Sequence, residues 1–495
     1  MSRQISIKKN FIMNALLTMS GIIFPLITFP YVSRILLPAG KGKVNFATSL
    51  INYFAMFAQL GIPTYGIRAT AQVRDNRLEL TRVVHELTVI NLIMTAFSYL
   101  ALAVALITVP RLKADRMLYL IVSSTMIFNA IGMEWMYKGL EQYTYITVRS
   151  VIFKFIALIA MFLLIHQQSD YVLYGAISVF ASSASSVFNF INARKYISMH
   201  PVSGYRFRRH WKAISVFFAM SVATTVYTNL DQLMLGLMTT SEDVGYYGAA
   251  VKIKTVLVSV VTSLGAVLLP RSSYYVEKKN MDAFREVTYK ALNFVMLVSV
   301  PLTLFFILFA EPGIYLLSGF AYGNAVLPMQ VIMPTLLLIG LSNITGIQIL
   351  VPLGRENIVL YSEIAGAVTD LILNLLLIPE LKSTGAALGT LAAEFVVLVL
   401  QMVALRGDIR ELFSRIQYWK IILSAALGTA ASLPVLLQPS GTAELHNFFL
   451  LLAGALLFFG VYGTSLLLLR EPMTRSMWNQ AKGRLHGMKK KREND

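Results

Sequence analysis

Cysteine is absent from the chain, which excludes disulfides, thiolate nucleophiles and thiolate metal sites. Charge is scarce as well. Only 14% of the 495 residues are charged, 56% are hydrophobic, and the mean hydropathy is +0.64. A soluble domain of this size carries far more charge on its surface. Acids are scarcer than bases, 25 against 43, for a net charge of +18. Such an excess raises nucleic acid as a partner. The basic residues, however, sit in loops and tails between apolar stretches, where cytoplasmic Lys and Arg of membrane proteins accumulate, so no nucleic acid is expected. The six histidines, His85, His166, His200, His210, His446 and His486, show no metal-ligand spacing. The phosphate-cradling pattern of ATPases is missing too. No metal and no cofactor are expected.

Long apolar stretches run from end to end. A bilayer-spanning helix needs about 20 mainly apolar residues. The hydropathy pattern predicts spans at 11–35, 44–67, 83–108, 117–137, 145–166, 170–192, 213–237, 246–269, 288–310, 324–350, 357–378, 384–405, 419–437 and 446–469. The first stretch is too long for a signal-peptide core and lacks a small-residue cleavage site, so it is read as a mature helix. With the N-terminus inside, the outer loops hold only Lys41, Lys43, Arg111, Lys113, Arg116 and Lys382. Most other basic residues fall in the inner segments, including 193–212, 270–290 and the tail from Arg470. The asymmetry predicts both termini inside and an even number of crossings. No loop between spans is long enough for a catalytic domain, which argues against membrane-bound glycosyltransferases, polymerases and ligases. No enzyme activity is expected.

The chain repeats itself after six spans. Gly42-Lys43-Val44-Asn45-Phe46-Ala47 opens span 2, as Gly245-Tyr246-Tyr247-Gly248-Ala249-Ala250 opens span 8. Leu60-Gly61 matches Leu264-Gly265, Gly139-Leu140-Glu141-Gln142 matches Gly354-Arg355-Glu356-Asn357, and Gly175-Ala176 matches Gly385-Ala386. Six is even, so the two halves are parallel repeats, and transporters built this way hold substrate between the halves. The expected fold is an all-α membrane protein of about 14 transmembrane helices. Two parallel six-helix lobes, 1–200 and 201–410, are followed by two extra C-terminal helices and a basic tail in 411–495.

Several segments are similar to one known family. Thr228-Asn229-Leu230-Asp231-Gln232-Leu233-Met234-Leu235-Gly236, followed by Val244-Gly245-Tyr246-Tyr247, resembles the seventh-to-eighth-span signature of Wzx-type polysaccharide flippases of the MOP exporter superfamily. Leu60-Gly61-Ile62-Pro63-Thr64-Tyr65-Gly66-Ile67-Arg68 resembles the end of their second span. Glu134-Trp135-Met136-Tyr137-Lys138-Gly139-Leu140-Glu141-Gln142-Tyr143 and Leu268-Leu269-Pro270-Arg271 resemble two further junctions. The resemblance covers about residues 5–410. It implies a two-lobe transporter of the bacterial cytoplasmic membrane that moves undecaprenyl-diphosphate-linked oligosaccharide outward. It also implies membrane lipids, a polysaccharide polymerase and glycosyltransferases as partners. The loop 37–42 departs from the family, because many relatives have an acid near Ala39, and no role is carried over to that position.

Ionisable residues in the hydrocarbon core are costly and mark partners or wet cavities. A diphosphate is gripped by Arg and Lys, and the residues expected to bind it are Arg149, Lys154, Arg34, Lys252, Arg68 and Arg271. Arg34, Arg68 and Arg271 lie near interfaces, where snorkelling accounts for them equally well. Lys252 and Lys254 are about 200° apart on a helix, so at most one is expected to face a cavity. Asp231, Glu363 and Asp370 are expected to gate or couple transport by pairing with the cations. By the repeat, Lys154 maps beside Asp370, and a permanent inter-lobe salt bridge is the structural alternative. Glu356, Glu363, Asp370 and Asn374 share one helical stripe. Tyr246, Tyr247, Tyr274 and Tyr275 are placed to stack on sugars, although interfacial Tyr is common. Two other substrates stay open: the lipid-linked peptidoglycan precursor, or drugs exchanged for cations. The first predicts a basic cluster midway along span 1, whereas Asn14 to Phe29 carries no charge. The second calls for an acid-rich pocket.

Overall fold

The computed structural model describes residues 7–407, 413–476, 478–480 and 482. Among these residues the secondary structure is helical throughout, with no strand. Ten helices are long and apolar enough to cross a membrane, and an eleventh span arises if the pair Phe320–Ile332 and Thr335–Leu350, bent by 42°, counts as one. Arg116–Gly132 is a shorter apolar helix. Backbone N–H and C=O groups have no water to bond in a bilayer core, so helices that satisfy them internally are the required solution.

Two helices are too long to be single crossings. Ile7–Gln59 has 53 residues and Glu356–Ala404 has 49. At about 1.5 Å per residue each would exceed twice the roughly 30 Å hydrocarbon core if straight. Each turns at one residue with positive φ: Leu37 (φ 56°, ψ 176°), followed by Pro38, and Lys382 (φ 50°, ψ −126°), three residues after Pro379. The left-handed region is strained for side chains of this size. Here it divides the first helix where spans 1 and 2 are expected to part, and the second where spans 11 and 12 are.

The chain packs into two compact units, Met1–Gly248 and Ala249–Asp495. The first is centred on Ile62, Val84, Leu87, Trp135, Met136 and Tyr137. The second is centred on Phe284, Leu292, Leu350, Leu398 and Ile421. Large apolar side chains such as Phe97, Leu100, Leu376 and Leu456 point outward, as lipid-facing positions do.

The unit boundary falls after the helix Arg208–Met238, and not at the linker 193–212 that is expected to separate the two lobes. Packing at both ends of that helix explains the difference. At one end, Gly42 and Gly245 bring backbones together. A Cβ at Gly42 would stand 2.7 Å from the Ser241 carbonyl carbon, and one at Gly245 would stand 2.8 Å from that of Pro38. At the other end the linker itself is fastened down. Arg82 Nε donates to the Ser203 carbonyl at 2.8 Å, and the His85 ring lies 2.9 Å from that of Ser198. Glu86, fully buried, accepts from the Arg206 N–H, from Arg209 Nε at 2.9 Å and meets His210 Nε2 at 2.6 Å.

Candidate substrate cavity

The first unit contains a cavity of about 550 Å³. Four elements form it. The first half of Ile7–Gln59 contributes Asn14, Thr18, Gly21 and Thr28, which recur at intervals of three, four and seven and so share one face. Glu134 and Lys138 come from the short helix Glu134–Gly139, set off from Arg116–Gly132 by Met133 at φ 42°. Ser150 and Lys154 come from Tyr143–Leu164, one turn apart. Tyr174, Ser178 and Ser182 come from the sixth expected span, where the π-helical turn Phe180–Ala184 interrupts the regular ladder. Such turns occur often at functional sites.

Electrostatically the cavity is basic. Lys138 pairs with Glu134 at 2.9 Å. Lys154 donates to Ser20 Oγ at 2.8 Å, and among the described residues no carboxylate lies within ion-pair distance of it. Two ammoniums and one carboxylate leave a net positive charge among Ser, Thr, Tyr and Asn side chains. Gly21 lies beside the ammonium, and a Cβ there would be in ordinary contact with Lys154 Nζ at 3.9 Å. The rest of the lining is apolar, including Leu17, Phe24, Leu158 and Met161. A cation among scattered hydroxyls and apolar side chains can hold an anionic group and hydrogen-bond the hydroxyls of an attached sugar.

The other expected residues are distributed as follows. Arg149 is 8% exposed and does not line the cavity. Its Nη1 donates to the Ser185 carbonyl at 2.7 Å, and its guanidinium lies 5.4 Å from the Tyr145 ring. It is about 140° around the helix from Lys154, so the two cations do not converge on one point. Arg34 is half-buried three residues before the turn at Leu37. Arg68 is exposed on Ile62–Val73, and Arg271 is exposed near the end of Ser241–Glu277. Lys252 and Lys254 are both half-buried. Asp231 accepts a hydrogen bond from Tyr247 OH. In the second unit Asp370 and Asn374 are buried, and a Cβ at Gly389 would stand 2.9 Å from Asp370 Oδ1. Glu363 and Glu356, on the same stripe, are exposed.

Sequence reasoning passed over Ser20, Lys138, Tyr174, Ser178 and Ser182 as site residues. Tyr174, Ser178 and Ser182 carried a legible signal, three polar side chains at four-residue steps inside an apolar span.

Residues 7–276 match the family described as "Polysaccharide biosynthesis protein", and residues 217–376 match MatE. The first match spans more than half of the chain. The chain belongs to the polysaccharide biosynthesis protein family. A proposed O-antigen transporter of Escherichia coli (strain K12) is 23% identical over 82% of this chain and 98% of its own length. The lipid II flippase MurJ, solved in an inward closed conformation, superposes with a TM-score of 0.69 at 14% identity, over 93% of this chain and 99% of that one. A multidrug-resistance MATE transporter of the MOP superfamily, inward-facing, gives 0.64 at 15% identity, over 82% and 99%. This family member is therefore a multi-pass membrane transporter with a MOP-type fold, and not an enzyme.

Proposed function

We propose that this transporter flips undecaprenyl-diphosphate-linked oligosaccharide repeat units from the cytoplasmic to the outer leaflet, by alternating access, for surface polysaccharide synthesis. One observation carries the substrate class: Lys154 faces a cavity of net positive charge, lined by hydroxyls and apolar side chains, and has no carboxylate within ion-pair distance among the described residues. That setting suits a diphosphate with sugars attached and disfavours the cationic substrates of a drug antiporter. The likeness to MurJ is one of fold, and the uncharged cavity face from Asn14 to Thr28 favours a glycan carrier over a peptidoglycan-precursor flippase. The reading places the protein in the bacterial cytoplasmic membrane with both termini inside. It takes fourteen crossings, with Leu37 and Lys382 as turns between spans, in two parallel six-helix lobes, 1–200 and 201–410, plus two C-terminal helices. Arg149, Lys252, Arg34, Arg68 and Arg271 assist the anion along its route, and Asp231, Glu363 and Asp370 serve as gating or coupling acids. A polymerase and glycosyltransferases would act beside it.

Binding of farnesyl diphosphate to the purified chain tests the assignment. Wild type binds it, and Lys154→Gln weakens binding at least tenfold. Equal binding by the two proteins would remove the cavity as the diphosphate site.

A further inference from the structure

Lys41 occupies the segment between the first two expected spans, where solvent exposure is the natural expectation. The structure buries it to 7% exposure. Its Nζ donates to Tyr174 OH, lies 4.0 Å from the centroid of that ring, and lies 5.9 Å from that of Phe29. Its neighbour Lys43 has a carboxylate, Asp115 Oδ1 at 3.0 Å. Lys41 has none within ion-pair distance among the described residues. Taking an ammonium out of water without a counter-ion is unfavourable, and aromatic faces compensate only in part.

Tyr174 belongs to two environments. It lines the cavity that Lys154 faces, and it contacts Lys41, which does not line that cavity. Ser182, Ser178 and Tyr174 all line that cavity, about 6 Å apart along their helix. The polar track therefore runs along the cavity wall and ends at a tyrosine that also contacts a second cation without a carboxylate within ion-pair distance among the described residues. The turn at Leu37 is what folds Lys41 back onto this track.

We propose that Lys41 is the outer station for the substrate's diphosphate, and that Tyr174 is the gate between it and Lys154. This rests on the flippase reading above. In the state described here, the Tyr174 hydroxyl and ring occupy Lys41. Rotation of Tyr174 exposes the ammonium to the anion leaving Lys154, and the displaced tyrosine closes the path behind it. Lys41 acts in the outward step and Lys154 in loading.

Lys41→Gln, Lys41→Arg, Tyr174→Phe and Lys154→Gln test this. Each is assayed for farnesyl diphosphate binding as full-length protein, and for surface polysaccharide export in the source strain lacking its own copy. Lys41→Gln is expected to bind within threefold of wild type and to export at least tenfold less. Lys41→Arg should restore at least half of export. Tyr174→Phe, which keeps the ring and loses the hydroxyl, should reach normal abundance with altered export. Wild-type export by Lys41→Gln overturns the proposal, as does an Lys41→Arg variant that is abundant but no better than Gln. If both Lys41 variants accumulate poorly, Tyr174→Phe decides: poor abundance there as well makes the contact structural and overturns the proposal, whereas abundant protein with altered export supports it. Unchanged binding by Lys154→Gln would instead remove the cavity as the diphosphate site, on which the proposal rests.

Discussion

Glu86 and His210 meet at 2.6 Å in the interior of the first unit, with exposures of 0% and 1%. They join elements far apart in sequence, the helix Arg77–Thr108 and the start of Arg208–Met238. The far side of the imidazole is held by Tyr65 OH at 2.8 Å, and the same carboxylate receives Arg209 Nη2 at 2.8 Å. His210, the most deeply buried of the bases here, depends on Glu86 and Tyr65 for its partners.

Removing the carboxylate therefore leaves buried donors without an acceptor. Glu86→Ala is expected to destabilise the protein by about 3 kcal/mol, the low end for a broken buried pair because Arg209 keeps access to water. Glu86→Gln, which still accepts hydrogen bonds, should lose less. Thermal unfolding of the detergent-solubilised protein distinguishes the two. Equal stability of Glu86→Ala and wild type would mean that the linker is not fastened here.

Topology is open to a direct test because the chain has no native cysteine. Glu242 is exposed in the segment expected outside, and Tyr205 is exposed in the linker expected inside. Glu242→Cys should react with an impermeant maleimide in intact cells, and Tyr205→Cys only after permeabilisation. The reverse pattern would invert the proposed orientation.

Much of this architecture is legible in the residues themselves. The all-helical architecture and its long apolar helices follow from apolar length, and Lys154 stands out because an ammonium in an apolar run needs a reason. The break at Leu37 has a local cue in the following Pro38, which disfavours helix at the residue before it. What the residues do not reveal is long-range. Glu86 is one acid near the start of a long apolar helix until Arg209 and His210 arrive from more than 100 residues away. Lys41 reads as a loop residue until the turn lays it on Tyr174. The linker 193–212 reads as a basic tether, and its attachment depends on Arg82 and His85 of another helix. Burial of a polar group is a property of its partners, and local pattern does not carry it.

Acid sensitivity is expected at the far end of the chain. Glu471 follows the last span and is 1% exposed. Burial pushes its carboxyl pKa up. The Thr474 N–H at 2.6 Å and the Asn293 amide at 2.8 Å outweigh that and hold it below the ordinary glutamate value. A depressed native pKa gives stability that is fully present above the unfolded value, about 4.3, and is lost as pH falls through the native one. Glu471→Gln should therefore show a flatter acid limb in unfolding temperature below about pH 5. An unchanged acid limb would show that this carboxylate does not contribute to it.

Lys154 and Asp370 pose the sharpest test of substrate against scaffold. An unpaired ammonium near mid-bilayer is unfavourable by about 2.5–3.5 kcal/mol on insertion scales, and Lys154 has a hydroxyl, Ser20, as its hydrogen-bond acceptor. Asp370 is buried on Glu356–Ala404. If Lys154 holds the diphosphate, Lys154→Ala should reduce export at least tenfold with expression largely intact, and adding Asp370→Ala should not rescue it, because the anion still lacks its cation. If the two residues serve only to neutralise each other during the transport cycle, the double variant removes both charges and should recover much of the lost abundance and activity. Export and abundance of the two single variants and the double variant separate these cases. Full recovery in the double variant would rule out Lys154 as a substrate ligand.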